Sequence, residues 1–251
     1  MSGRRQVAIW AAVLLTSLAV VAAAVGIALA LEPADQQVVS LGETVEGRKI
    51  EAVRLGDPNS PNKALVVGVI HGDEPAGLQI TAALRRSFGD LTGVDLWVID
   101  AVNLDGLARR TRGNAHGVDL NRNFPWRWRP IPKKSGYYSG PGPLSEPETR
   151  VVTDLIETLQ PRISIWYHQP WGAVLRPCGT PAPIQRRYAA LSKMKTSCRA
   201  AVLPGTAINW QNHEFPATTG IVVELAHGKL SPAAAERHAR AVVGVTSSAS
   251  S

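Results

Sequence analysis

Along this chain, short runs of β-branched and apolar residues alternate with longer runs whose apolar positions recur at helical spacing. Ile50–Leu55, Leu65–Ile70, Asp95–Ala101, Ile163–His168 and Gly220–Leu225 read as strands, while Pro75–Phe88, Glu146–Leu159, Ile184–Ala200 and Pro232–Val245 read as helices. Strands and helices taken in turn predict an α/β fold, a mixed twisted sheet with helices on both faces. Two helix starts are marked. Ser145 with Glu148 three residues on resembles a capping box, and Ser231 stands before a proline at the first helical position.

The amino-terminal pattern is different. Arg4 and Arg5 precede an apolar run from Val7 to Leu31, broken only by Thr16, Ser17 and Gly26, which is the pattern of an export signal. Ala28-Leu29-Ala30 offers a small-x-small cleavage site, yet the run is long enough to span a bilayer. Residues 1–31 therefore read as a signal peptide or as a signal anchor holding the protein to the membrane through 7–31. Either way the body is expected outside the cytoplasm: extracellular, in the cell wall or on the outer face of the membrane. Polar and acidic residues 32–47 read as a tether, 48–245 as one domain and 246–251 as a flexible tail.

The formal net charge of +7 favours acidic partners such as wall polymers. Export argues against a nucleic-acid partner. Cys178 and Cys198 are the two cysteines, and in an oxidising compartment such a pair is expected to form one disulfide.

Candidate chemistry begins at Val66–Glu74, where an apolar run ends in histidine, glycine, aspartate and glutamate. This reads as a buried strand delivering polar side chains at its carboxyl end, the edge where α/β sheets bind ligands. His71 and Glu74 are ordinary zinc ligands, and a catalytic zinc needs a third protein ligand and an open position. The alternative is a histidine and a carboxylate solvating a loop. Further on, a long loop-like region carries Arg112, Asn114, GVDLNRNFP and SEPE, and irregular stretches of such length in a compact domain are usually functional or disordered. Within it, Phe124–Lys134 interleaves aromatic and basic residues, either as a rim for anionic substrate or as a solvated loop with packed tryptophans.

HGDE, RGNAHGVDLNRNFP, GPLSEPE, WYHQP and VVELA, in that order, resemble the zinc carboxypeptidase family, and within it the bacterial murein peptide amidases. The resemblance covers nearly the whole body and implies the zinc carboxypeptidase fold with one zinc per chain. It makes His71, Glu74 and His168 the ligands and Glu224 the general base. It makes Asn121 and Arg122 the clamp for a substrate carboxylate, Arg112 the oxyanion stabiliser with Arg109 and Arg110 as rivals, and Asp119 the partner that orients His71. Chemistry agrees: two histidines and a glutamate leave a coordination position open, and a carboxylate nearby can shuttle a proton.

Ser145 and Glu148 read as capping rather than chemistry, and His116, His213, His227 and His238 as surface or local hydrogen-bonding groups. The sequence also departs from the digestive members of the family. Asp73 stands in place of their arginine, and their tyrosine before the catalytic glutamate has no counterpart, the last tyrosine being Tyr188 and the nearer aromatics Trp210 and Phe215.

The function implied is an exported zinc hydrolase, expected as a monomer, that cuts an amide bond near the carboxyl end of a peptidoglycan-derived peptide, the γ-D-glutamyl–meso-diaminopimelate bond first of all. A carboxypeptidase acting on protein C-termini, a non-catalytic wall-binding protein and a small-molecule deacylase are the alternatives.

Overall fold

The computed structural model describes residues 36–89, 91–199 and 203–247. Eight strands form one sheet: β1 Gln37–Glu43, β2 Lys49–Gly56, β3 Lys63–Val69, β4 Asp95–Ala101, β5 Ile163–His168, β6 Trp171–Pro177, β7 Lys195–Arg199 and β8 Thr219–Ala226, in the spatial order β1-β2-β4-β3-β5-β8-β6-β7. β4, β3, β5 and β8 are mutually parallel. β2 is antiparallel to β4 and β1 to β2, and on the other side β6 is antiparallel to β8 while β7 runs parallel to β6. The sheet is mixed, as the alternation predicts.

The central strands are apolar on both faces because both are covered. Ala64 and Val66 of β3 point into a core with Ile80, Leu84, Tyr188 and Val242. Leu65 and Val67 point the other way, toward Val152, Ile156, Phe124 and Trp210. The first layer is built by helices α1 Gly77–Ser87, α4 Pro183–Ser192 and α6 Pro232–Thr246, the second by α3 Pro147–Leu159 and α5 Ala207–Glu214, with a short α2 Leu104–Arg109 beside β4. Ile80 and Leu84 are fully buried, each worth roughly 1.5–3 kcal/mol of transfer free energy.

Several elements differ from the sequence expectation. β1 lies within the stretch read as a tether, so the ordered domain reaches back to its first described residues. The helix expected over Ile184–Ala200 stops at Ser192, where Lys193 adopts a left-handed conformation, and the chain continues as edge strand β7. The capping box does not form. Glu146 is the N-cap residue, and Glu148 instead accepts bonds from the Val45 N–H (3.1 Å) and Asn114 (3.0 Å), tying α3 to the loops after β1 and α2. Ser231 does cap α6 through the Ala234 N–H, 3.2 Å. Among the described residues no helix is long and apolar enough to cross a membrane, and the segment 7–31 expected to do so lies outside them.

The long region between α2 and α3 is irregular but fixed by side chains. Asn123 donates to the Ser139 and Gly142 carbonyls (2.8 and 2.9 Å), and Asn114 to Glu146 (2.7 Å). Two of its backbone carbonyls are thereby satisfied without regular structure.

Candidate metal centre and active-site cleft

β3 and β5 are adjacent and parallel, so their carboxyl ends set His71 and His168 side by side. After His71 a tight turn, closed by the Glu74 N–H on the His71 carbonyl at 3.0 Å, brings the glutamate back over the histidine. Gly72 in that turn lies against α2, where a Cβ would come within 2.0 Å of the Gly106 carbonyl carbon. A side chain there would force the turn, and both residues it carries, out of place.

Three donor atoms converge. His71 Nδ1 and His168 Nδ1 each lie 3.0 Å from Glu74 Oε2 and 3.1 Å from one another. Ligands about 2.0–2.1 Å from a tetrahedral zinc stand roughly 3.3 Å apart, so this donor set fits the ion and leaves a position open. Among the described residues this is the one His/Cys/Asp/Glu group able to hold a metal. The buried Asp119 accepts from His71 Nε2 at 3.0 Å, which directs the Nδ1 lone pair into the triangle. Burial opposes charge on His71, but Asp119 and Glu74 outweigh it and raise its pKa. Burial lowers that of His168. Burial acts against the carboxylates too, yet bonds from His168 and His71 hold Glu74, and the field of His71 holds Asp119, well below the usual carboxylate range.

Glu224 lies on β8 directly across from His168. It is 7% exposed, and its Oε2 is buried without a hydrogen-bond partner among the described residues. Burial, and then repulsion from Glu74, pushes its carboxyl up to about 7, against a smaller stabilisation from the Trp171 N–H. A carboxylate poised near neutrality beside a metal centre is equipped to exchange a proton.

These residues line a cleft of about 730 Å³ that also takes in Arg112, Asn121 and Arg122. Arg112 donates to Asp119 through Nε (2.9 Å) and to Glu74 through Nη1 (3.0 Å). Its two rivals point elsewhere: Arg109 pairs with the solvent-facing Glu46, and Arg110 caps α2 in a left-handed conformation. Asn121 accepts from the Ala207 N–H (3.0 Å) and turns its Nδ2 toward His168 Nε2 at 3.5 Å, the limit of hydrogen bonding. Arg122 is buried and donates to the Asn121 carbonyl (2.6 Å), and burial followed by the charge of Arg112 lowers its pKa.

Residues without a sequence motif complete the cleft. Tyr137, half exposed, stacks with Arg112 and Arg122, whose guanidinium carbons lie 5.0 and 5.5 Å from its ring centre. The cleft thus has a phenol, from a loop remote in sequence from the position of the family tyrosine. Gln169 joins three strand ends, giving its N–H to Glu74 (3.2 Å) and its amide to the Ala226 and Gly228 carbonyls. The signal that could have found it is its place next to His168. In the aromatic-basic segment the tryptophans are packed, Trp126 against His213 and Trp128 through its Nε1 donating to the Ser139 carbonyl (3.1 Å), while Arg129 and Ile131 line the cleft.

Cys178 and Cys198 form the expected disulfide, with Cα atoms 5.0 Å apart, joining the end of β6 to β7. His116 bonds Glu146 at 2.7 Å, His213 packs on Trp126, and His227 is exposed. His238 is a buried local partner, bonded to Tyr188, whose hydroxyl also meets that of Tyr167.

A model of the zinc carboxypeptidase family matches residues 28–238. Murein peptide amidase A of Escherichia coli K12 is 33% identical over 131 residues, 47% of this chain and 53% of that protein, so the chain spans about half the length of this relative. Among solved structures, the murein-tripeptide amidase MpaA of E. coli O157 superposes with a TM-score of 0.69 at 25% identity, covering 84% of this chain and 91% of that one. Carboxypeptidase A of Helicoverpa armigera gives a TM-score of 0.70 at 18% identity over 85% of this chain and 69% of that one, a likeness of fold. With the ordered motifs and the converging triad, the match over most of its length establishes that this chain belongs to the zinc carboxypeptidase family.

Proposed function

We propose that the protein is an exported zinc hydrolase that cuts an amide bond near the carboxyl end of a cell-wall peptide, with the γ-D-glutamyl–meso-diaminopimelate bond as its target. The observation that carries this reading is the meeting of His71 Nδ1, Glu74 Oε2 and His168 Nδ1 beside a buried carboxylate, Glu224, that has a spare oxygen. The likeness to murein peptide amidases supports the choice of substrate. The disulfide supports export, because such bonds persist in oxidising compartments.

His71, Glu74 and His168 hold the zinc. When bound, that ion supplies Lewis acidity, making a water acidic near neutral pH and polarising a carbonyl. Asn121 and Arg122 engage the terminal carboxylate, the planar guanidinium matching it with two parallel bonds. Glu224 accepts a proton from the attacking water and passes it to the leaving amine. Its elevated pKa matches that double duty. Arg112, fixed by Asp119 and Glu74, offers its cation to the oxyanion developing on the scissile carbonyl, worth several kcal/mol in a water-poor cleft. Asp119 keeps His71 in the ligating tautomer.

The same clamp would serve a carboxypeptidase acting on ordinary C-termini. A panel containing L-Ala-γ-D-Glu-meso-diaminopimelate and standard C-terminal peptides separates the two. Release of diaminopimelate supports the amidase, and cleavage confined to the ordinary peptides replaces it with the carboxypeptidase.

A further inference from the structure

The helices on the two faces of the sheet carry opposite charge. α1, α4 and α6, with the Lys193 that ends α4, hold seven lysines and arginines and one carboxylate, Glu236, whereas α3 and α5 on the other face hold one arginine and four carboxylates. Part of the first layer is paired internally: Arg85 bonds Asp100, and Arg86 bonds Glu236 (2.7 Å). Arg186, Lys193 and Arg240 are exposed instead, and among the described residues no carboxylate lies within ion-pair distance of any of the three.

Contacts between α4 and α6 put these three cations on one surface. α4 buries Gln185, Tyr188, Ala189 and Ser192, so Arg186, Ala190 and Lys193, at spacings of four and three, share its outward side. On α6, Arg237 Nε donates to the Ser192 carbonyl (3.0 Å), and Gly244 lies under Leu191, whose Cδ1 would stand 2.7 Å from a Cβ there. Arg240, three residues after Arg237 and four before Gly244, belongs to that same stripe. Leu191 is 43% exposed, an apolar side chain in the midst of these cations. α4 gives the cleft only Gln185 and α6 gives it nothing, so a partner on this face leaves the active site clear.

A cationic surface with an apolar side chain at its centre matches a bilayer with anionic headgroups, which offers phosphate to the first and hydrocarbon to the second. A polyanionic polymer complements the charge alone. The chain also enters the domain on this layer: Gln36, five residues after Leu31 closes the apolar run, donates from its side chain to the Arg85 carbonyl at the end of α1 (2.6 Å). We propose that the α4–α6 face docks the protein on anionic lipid, through Arg186, Lys193 and Arg240 around Leu191. Docking there confines the proposed hydrolase to wall peptide next to the membrane. It does not depend on the chemistry of the cleft, so its failure leaves the hydrolase reading in place.

The test is lysine footprinting of the full chain with vesicles of phosphatidylcholine alone or of equal parts phosphatidylcholine and phosphatidylglycerol. Acetylation of each lysine is followed by mass spectrometry at about 0.1 M and about 1 M salt, between which the Debye length falls from about 10 to about 3 Å. The exposed Lys134, on the loop before α3, is the internal reference. Docking predicts that at the lower salt Lys193 reacts several-fold more slowly on the anionic vesicles than on the neutral ones, while Lys134 does not change. The higher salt should restore the rate. So should Arg186→Gln/Arg240→Gln, which leaves Lys193 as reporter and loses about fivefold in anionic-vesicle binding per cation, with thermal unfolding to confirm that it is folded. Equal Lys193 rates on the two vesicles, or protection that survives both the salt and the variant, overturns the proposal. Protection by soluble poly(glycerol phosphate) and not by the anionic vesicles overturns it too, and assigns the face to a wall polymer.

Discussion

Replacing Glu224 by glutamine should make the metal-free protein more stable at alkaline pH while destroying its chemistry. The carboxyl is pushed from an ordinary 4.5 to about 7, first by burial and then by Glu74, and it is 7% exposed, so solvent screens it little. A group whose folded pKa is raised contributes stability that is fully present below about 4.5 and is lost as pH rises through about 7. Across that interval, at about 1.4 kcal/mol per pH unit, the loss amounts to roughly 3 kcal/mol. Glutamine mimics the protonated acid in shape and carries no charge. In urea unfolding of the metal-free proteins, Glu224→Gln should match the wild type near pH 4.5, exceed it progressively up to about pH 7 and keep a steady margin from there to pH 8.5. Zinc should shrink the gap, because a nearby dication favours the carboxylate. A difference that does not vary with pH, or a variant less stable at pH 8.5, would refute the view of Glu224 as a strained base held for function.

Three further outcomes follow from the geometry. Asp119→Asn should weaken zinc binding by about 10- to 100-fold, measured by competition with a chromogenic chelator, because His71, a proposed ligand, loses the carboxylate that bonds its Nε2. Tyr137→Ala should raise KM several-fold with a smaller effect on kcat, and Tyr137→Phe should keep most of the wild-type KM, since the ring steadies Arg112 and Arg122 through contacts worth about 0.5–1 kcal/mol each; loss of kcat in the phenylalanine variant would instead make the hydroxyl a catalytic group. Reducing the Cys178–Cys198 bridge, which closes a sequence separation of 20, should lower unfolding stability by about 3 kcal/mol, read as a shift in the denaturation midpoint.

The interior of the fold could be read from sequence because buried strands are continuous apolar runs: β3, β4, β5 and β8 all lie where the runs place them. The edges could not. β7 reads KTSCR with no buried side chain, and β1 is largely exposed, so neither carries the apolar signal by which strands are recognised. The helix predicted through Ala200 fails for a local reason, the left-handed turn at Lys193, that composition does not announce. The capping-box pattern misled because Glu148 is drawn into bonds with Val45 and Asn114, a tertiary demand that overrides a local one.

At the site, His71, Glu74, His168 and Glu224 were legible because each ends or lies on an apolar run and belongs to a short motif. The choice of Arg112 over Arg109 and Arg110 needed coordinates, since three arginines within four positions diverge in direction. Tyr137, Arg176 and Arg199 carry no motif at all. Their place in the cleft comes from the folding of the loop before α3 and from the β6–β7 pairing.

The central claim is that three converging ligands and a buried carboxylate make one hydrolytic centre. It is tested most directly by assaying diaminopimelate release from L-Ala-γ-D-Glu-meso-diaminopimelate with zinc-loaded wild type and Glu224→Gln, while the zinc content of both is measured. The account predicts one zinc per chain in each, turnover in the wild type that chelation abolishes and zinc restores, and a loss of at least about 100-fold in the variant. Full zinc occupancy with equal turnover in both proteins, or with none in either, would contradict it.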